Sequence, residues 1–461
     1  MAPERPTHTP FPHPLVPGPL PGPHRAVKGF SYRRHTGIKA RARTLVNHRS
    51  GPGPTATTVR RGKDSPVHLM DLFRARSTPG GGVMLALTRR CPLSCRHCST
   101  NSMLSSEQHA ESVFEGFVET FTPQERPDFV VMSGGEVLLR PALVERIALR
   151  ARESGARSHI LSGMFFARQP GIPDRLRRAI DAVDHFSASL DVFHEEEVPR
   201  AAVLRVLKQL ADEGKDVSLQ VVGMDEDDPY LAEVTDDIRT TLEDRVPVWV
   251  SLVGNVGRAS EWLPEPGGTA TPPAATGPVP ADGGPPYSAP PHPAPPSPCE
   301  MAAWPLVSFD GTVVACCNQN VVDGLGGRLP AHLRLGDART DSWQTVIERQ
   351  RARHLLRGVR AFGPAYLAER TGSAPGSCSG YCKTCFMLSD DPATEASAAV
   401  FMDRPGTRAM ETRIAELVGD AGPDWLARRF GTHRYADLML LGYRGPEPVA
   451  VHTGGNGSCA V

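Results

Sequence analysis

Cys91, Cys95 and Cys98 stand four and three positions apart in Arg89-Arg90-Cys91-Pro92-Leu93-Ser94-Cys95-Arg96-His97-Cys98-Ser99. Three thiolates within eight residues can hold three corners of a four-iron, four-sulfur cluster and leave the fourth iron without a protein ligand. An open iron corner is where chemistry can take place. Short Cys-x-x-Cys runs also make structural zinc sites, so the spacing by itself leaves both readings open.

The surrounding elements must then place these thiols. Gly82-Val83-Met84-Leu85-Ala86-Leu87-Thr88 reads as a short buried strand, which puts the cysteines on the loop at its C-terminal end. Val113, Phe114, Phe117, Val118 and Phe121 recur at helical spacing, and a second strand, Phe129-Val130-Val131-Met132, runs into Ser133-Gly134-Gly135-Glu136. Helix patterns at Leu143 to Arg152, Leu176 to Val183 and Val203 to Leu210 separate strand candidates at Ser158 to Leu161, His185 to Leu190, Val217 to Val222 and Val248 to Val253. Six strands alternating with helices predict a parallel sheet that right-handed crossovers curl into a partial (β/α)6 barrel, an α/β fold. In such barrels the site lies at the C-terminal ends of the strands, where both the cysteine loop and Gly134-Gly135-Glu136 fall.

A CxxxCxxC run after the first strand and a Gly-Gly-Glu after the second resemble the radical S-adenosylmethionine (radical SAM) enzymes. The resemblance implies a 4Fe-4S cluster on Cys91, Cys95 and Cys98 whose free iron chelates the methionine of S-adenosyl-L-methionine. It also implies that Gly134 and Gly135 let the backbone approach that methionine and that Glu136 pairs with its ammonium group. Ser187-Ala188-Ser189-Leu190-Asp191 is similar to the family's fourth-strand Ser-x-Asp, which makes Ser189 and Asp191 candidates for cofactor contact; capping preference offers Asp191 the competing role of a helix N-cap. Gly257-Arg258-Ala259 resembles the segment that closes the core domain, and His194 with Glu195-Glu196-Glu197 reads as an exposed first helical turn.

Of ten cysteines, six return between Cys299 and Cys385: Cys299, Cys316, Cys317, Cys378, Cys382 and Cys385, with Phe309-Asp310-Gly311-Thr312 as a hairpin turn. The pattern resembles the SPASM and twitch domains, a small cysteine-rich α+β module that carries auxiliary clusters. Seven cysteines remain beyond the first motif, and two fully thiolate-ligated four-iron clusters need eight, so one auxiliary 4Fe-4S cluster is expected. Its expected ligands are Cys299, Cys316, Cys382 and Cys385, with Cys378 as substitute; zinc on the same thiols is the alternative. Cys317 is expected to donate a hydrogen atom to a substrate radical, to pack as a small hydrophobe or to substitute as a ligand.

The 461 residues carry 51 basic and 51 acidic side chains, so no global charge points to nucleic acid or membrane, and no apolar run reaches the roughly 18 residues of a membrane span. The domain expectation is a Pro-rich, basic, disordered tail over 1–65, a core over 66–262, a linker over 263–298, the auxiliary module over 299–390 and an extension over 391–461. Twelve Lys or Arg against two acids in residues 1–64, and fourteen prolines in residues 263–298, set the tail and the linker. One helix is expected in the extension, Arg408 to Leu417. Cysteines in metal-ligand spacing without an export signal point to the cytoplasm.

The resemblance implies an oxidoreductase-type enzyme that cleaves S-adenosylmethionine and abstracts a hydrogen atom from an unactivated carbon. A ribosomally made peptide is the favoured substrate, a sugar or aminocyclitol the alternative, and a flavodoxin-type reductase the electron donor. An electron-transfer or zinc-binding scaffold is the non-enzymatic alternative.

Overall fold

Gly82–Thr88 is apolar at nearly every position because both of its faces are covered, and it forms strand β1. The computed structural model describes residues 66–263, 296–323, 327–373, 381–389 and 391–445, all within one unit, Ala56–Val461. The expected tail over 1–65 lies outside the described residues, as do Cys378, Cys459 and most of the expected linker.

Helix α1 (Leu69–Arg76) precedes β1, and the chain then alternates: α2 (Glu111–Glu119), β2 (Phe129–Gly134), α3 (Pro141–Ser154), β3 (Arg157–Ser162), α4 (Asp174–Ala182), β4 (His185–Asp191), the short α5 (Val192–Glu195), α6 (Arg200–Asp212), β5 (Asp216–Gly223), α7 (Pro229–Leu242) and β6 (Val248–Leu252). All six strands pair in parallel in sequence order, as a partial (β/α)6 barrel requires. The helices pack through apolar stripes at three- and four-residue spacing; on α3 these are Leu143, Val144, Ile147, Ala148 and Ala151. That helix stops at Gly155, whose φ of 89° is left-handed.

The sheet does not end at β1. Strand β7 (Leu306–Val307) pairs in parallel with β1, Met84 opposite Leu306, and β8 (Thr312–Val314) and β9 (Arg334–Asp337) add antiparallel, giving nine strands in the order β6-β5-β4-β3-β2-β1-β7-β8-β9. The expected hairpin therefore extends the barrel sheet.

Helices follow: α8 (Gln319–Val322), α9 (Trp343–Ala352), α10 (His354–Phe362), α11 (Pro364–Thr371), α12 (Tyr381–Met387), α13 (Pro392–Met402), α14 (Pro405–Gly419) and α15 (Pro423–Phe430), then a 3-10 segment, His433–Leu440. The opposite edge of the sheet, β6, is capped by the end of this series. Thr432 donates its backbone N–H (3.2 Å) and hydroxyl (3.0 Å) to the Val250 carbonyl, and Trp249 Nε1 donates to Phe430 O at 2.9 Å. Covering an open strand edge removes a site for pairing with another chain. The same segment meets α1, where Leu69, Met70 and Phe73 pack on Leu426, Ala427 and Met439.

Candidate functional site

The loop after β1 is pinned from two sides. On one side Gly135 N donates to Thr88 O (2.6 Å) and Glu136 N to Arg90 O (2.8 Å). A Cβ on Gly135 would strike Arg90 O and lie 2.8 Å from Arg89 O, and Gly134, at φ 140°, is held as tightly over Thr88. The two glycines thus let the strand-end backbone approach the cysteine loop itself. On the other side, Arg258 donates its backbone N–H to Cys98 O (3.0 Å), Nε to Cys95 O (2.9 Å) and Nη1 to Ser102 O (2.7 Å). Gly257, with φ 58°, has no room for a Cβ against Cys98 O and Ser99 O.

Within the loop Cys95 is buried and Cys91 and Cys98 are half-buried. Leu93 N–H points at Cys91 Sγ (3.4 Å) and the Thr100 hydroxyl lies 3.4 Å from Cys98 Sγ. Burial pushes the Cys91 thiol up to about 12, aided by Glu136 and the other two thiols. Burial also acts to raise Cys98, but hydrogen bonds from Thr100 and Ser102 and the Arg258 charge outweigh it and hold this thiol below its ordinary value. Three thiols on one loop, with donors directed at their sulfurs, fit a group bound through anionic sulfur. A four-iron cluster is such a group.

The ends of β2, β3 and β4 converge beside this loop. Glu136 is fully buried; its Oε1 accepts from Leu138 N (3.0 Å), its Oε2 from Gly163 N (2.9 Å), and the Ser162 hydroxyl is 3.1 Å from both oxygens. Burial raises its pKa to about 7 against these hydrogen bonds. The carboxylate expected to meet a methionine ammonium is, in this structure, the cap of a 3-10 turn, Val137–Leu139, and the tie between β2 and β3.

Asp191 is likewise fully buried. It caps α5 through Phe193 N and His194 N (both 3.0 Å), and its second oxygen faces His194 Nδ1 (2.7 Å) and His97 Nε2 (3.2 Å). Burial works against the charge on Asp191, yet the two imidazoles hold its carboxyl well below the usual range. For His194, burial is outweighed by Asp191 and by a hydrogen bond to Cys95, and its pKa stands well above the ordinary value. His194 is thus no exposed turn residue: its side chain is 13% exposed because Asp191 draws it inward. His97 stacks on Phe193 with centroids 4.7 Å apart. His97, Asp191 and His194 offer atoms all within 4.8 Å of one another. The sequence reading missed this clamp, although a histidine inside the cysteine run and another three residues past a strand-end Asp were the available signal.

Below lies the barrel lumen, with a cavity of about 130 Å³. Alternate strand residues line it: Met84 from β1, Val131 and Ser133 from β2, His159 and Leu161 from β3, Ser187 from β4, Ser218 and Gln220 from β5, and Trp249 from β6. Ser189 shares the face of Ser187 and pairs in register with Gln220. Leu69, Leu72 and Phe73 of α1 form the floor, and Met301, Trp304 and Cys317 close one side. Cys317 is half-buried, its Sγ 3.7 Å from Met301 Sδ.

The second cysteine set is gathered from distant parts of the chain. Cys299 precedes a 3-10 turn, Met301–Ala303, Cys316 follows β8, and Cys382 and Cys385 lie three residues apart on α12. Burial raises all four thiols; Cys382 adds to the rise at Cys299, Cys317, Cys299 and Cys385 to that at Cys316, and Cys299 and Cys382 to that at Cys385. Asn318 directs its N–H at Cys316 Sγ (3.3 Å) and its Nδ2 at Cys382 Sγ (3.6 Å), and His332 Nε2 is 3.6 Å from Cys385 Sγ.

Residues 85–238 match the family model of the Radical SAM superfamily. Among solved structures, native anSMEcpe with bound AdoMet and Cp18Cys peptide is similar at 11% identity and a TM-score of 0.39, over 69% of this chain and 99% of that one. No curated protein matches the chain. The cysteine loop, seated at the mouth of the parallel strands, lies inside this match to the Radical SAM superfamily.

Proposed function

We propose that Cys91, Cys95 and Cys98 hold a 4Fe-4S cluster that binds S-adenosyl-L-methionine, and that the enzyme abstracts a hydrogen atom from an unactivated carbon of a ribosomally made peptide seated in the lumen. The observation that carries this reading is the three-thiol loop pinned between Gly134-Gly135-Glu136 and Gly257-Arg258 over a parallel barrel. When bound, the cluster and S-adenosylmethionine supply one-electron reductive cleavage and hydrogen-atom abstraction. The chain's own residues orient and shield: Arg258 fixes the loop backbone, Asp191 holds the loop's His97 and the neighbouring His194, and the apolar lumen excludes water that would quench a carbon radical.

Cys299, Cys316, Cys382 and Cys385 would hold one auxiliary 4Fe-4S cluster in a module spanning about 299–390, able to accept an electron from the substrate. A flavodoxin-type reductase would deliver the first electron, making the enzyme an oxidoreductase. Anaerobic incubation of the reconstituted protein with dithionite, S-adenosylmethionine and peptides encoded beside its gene tests the reading. Deoxyadenosine release coupled to a mass change in a peptide is expected. Release coupled only to a sugar or aminocyclitol moves the substrate to small molecules, and no release under any condition refutes the chemistry.

A further inference from the structure

Four polar side chains form a row across the lower lumen. His159 Nε2 lies 2.7 Å from Ser187 Oγ, Ser187 Oγ 2.5 Å from Ser218 Oγ, and Ser218 Oγ 2.8 Å from His185 Nε2; His185 Nδ1 is 2.7 Å from the Val67 carbonyl oxygen. That last contact fixes every proton in the row. A carbonyl oxygen only accepts, so His185 carries its proton on Nδ1 and presents a lone pair at Nε2. Ser218 has one hydroxyl proton and spends it on His185. Ser187 must then donate to Ser218, and His159 must donate to Ser187 through Nε2–H. Both rings are neutral, since burial holds His159 well below its ordinary pKa and brings His185 down to about 4.

His159 Nδ1 is therefore a bare lone pair. It is buried and has no hydrogen-bond partner, on a side chain that lines the lumen cavity. Around it the walls are largely apolar and aromatic, including Leu72, Phe73, Val131 and Trp249. A ligand site of this kind takes its orientation from a few fixed polar groups in an apolar enclosure, and a buried acceptor favours the ligand that brings it a donor.

We propose that the lumen receives a bulky apolar group bearing one N–H or O–H donor, such as an indole or a phenol, and that His159 Nδ1 accepts from it as a specificity-determining residue. The proposal deepens the proposed function and rests on it in taking the lumen as the substrate's place.

The test uses the full-length reconstituted protein and two probes of one shape, indole and benzothiophene, the second lacking the N–H. Calorimetry should show indole binding roughly tenfold tighter than benzothiophene, as one net hydrogen bond allows. In His159→Phe that preference should vanish while benzothiophene binds as before. Nitrogen NMR of histidine-labelled wild type gives a check that needs no variant: His159 should be protonated at Nε2 and His185 at Nδ1. Equal affinity for the two probes, binding of neither, or a proton on His159 Nδ1 overturns the proposal. An N-acetyltryptophanamide arm separates the sources, since tighter binding than indole places the donor on a peptide side chain and weaker binding on a free small molecule. These readouts need no S-adenosylmethionine, so loss of deoxyadenosine formation with the indole preference intact would count against the proposed function alone.

Discussion

Gly135→Ala tests the seat of the cysteine loop most directly. The backbone there is not left-handed, so alanine meets no conformational objection and the effect is steric. Its Cβ would strike Arg90 O and come to 2.8 Å from Arg89 O, both backbone atoms of the residues leading into Cys91. The loop must retreat, and the bonds from Gly135 N to Thr88 O and from Glu136 N to Arg90 O stretch or break. Two hydrogen bonds at about 1 kcal/mol each, with strain in their neighbours, give a loss of about 2 to 4 kcal/mol. Thermal unfolding of iron-free protein should show a midpoint several degrees lower. Reconstitution should then load less iron at the first site and bind S-adenosylmethionine more weakly. Gly116→Ala is the matched control: it lies within α2 with nothing near its Cβ position, and should stabilise by about 1 kcal/mol through helix propensity. If Gly135→Ala unfolds with the wild type and loads the same iron, the loop is not seated as described.

The wild type should hold about eight irons, and Cys91→Ala/Cys95→Ala/Cys98→Ala about four with no deoxyadenosine formed; iron analysis finding zinc in place of the remainder would give the second set to zinc. Arg258→Ala removes the two side-chain ties to the loop's carbonyls, at Cys95 and Ser102, and should lower first-site iron retention while leaving the Cys299, Cys316, Cys382 and Cys385 site loaded, read by iron analysis against the triple variant. Glu136 has a raised folded pKa, about 7 against 4.5, so the unfolded chain loses its proton first and this group costs stability as pH rises from about 4.5 to 7, by about 3 kcal/mol. In iron-free protein, the stability difference between Glu136→Gln and wild type should therefore shift toward the variant over that window; a pH-independent difference would contradict it. His185, lowered to about 4, acts with the opposite sign, and the difference between the two proteins cancels it.

Local signals made the barrel legible. Gly82 to Thr88 was read at its observed bounds, and the other five strands within two residues, because each is a short apolar run followed by punctuation. The charged stretch from Trp343 to Phe362 forms two helices, broken where Arg353 leaves helical geometry at ψ 119° and its guanidinium reaches the carbonyls of Ala331 and His332. In the extension one helix was expected; α13, α14, α15 and the 3-10 segment are present among the described residues. Their packing is tertiary: α15 holds its place by seating Leu426 and Ala427 on α1, some 350 residues earlier, which no local pattern announces. The same holds at the site. Cys91, Cys95 and Cys98 announce themselves by spacing, whereas His97, Asp191 and His194 meet only because β4 lies three strands from β1 in a curled sheet. The fold spends Glu136 on Leu138, Ser162 and Gly163, a use the Gly-Gly-Glu string does not reveal.

The floor of the lumen sets an order on synthesis. Helix α1 is among the first described elements to leave the ribosome, yet the residues that cover Leu69, Met70 and Phe73 from outside, Leu426, Ala427 and Met439, are among the last. Until they arrive, the barrel can close its parallel strands but its base stays wet, with an apolar helix face exposed to water and to other nascent chains. Contacts across so long a stretch form late because loop closure must be met first. A stalled or truncated chain ending before about residue 420 would thus carry a complete cysteine loop on a barrel whose floor helix lacks its outer cover, and chaperones that bind exposed apolar helices would hold it longer than they hold the finished protein.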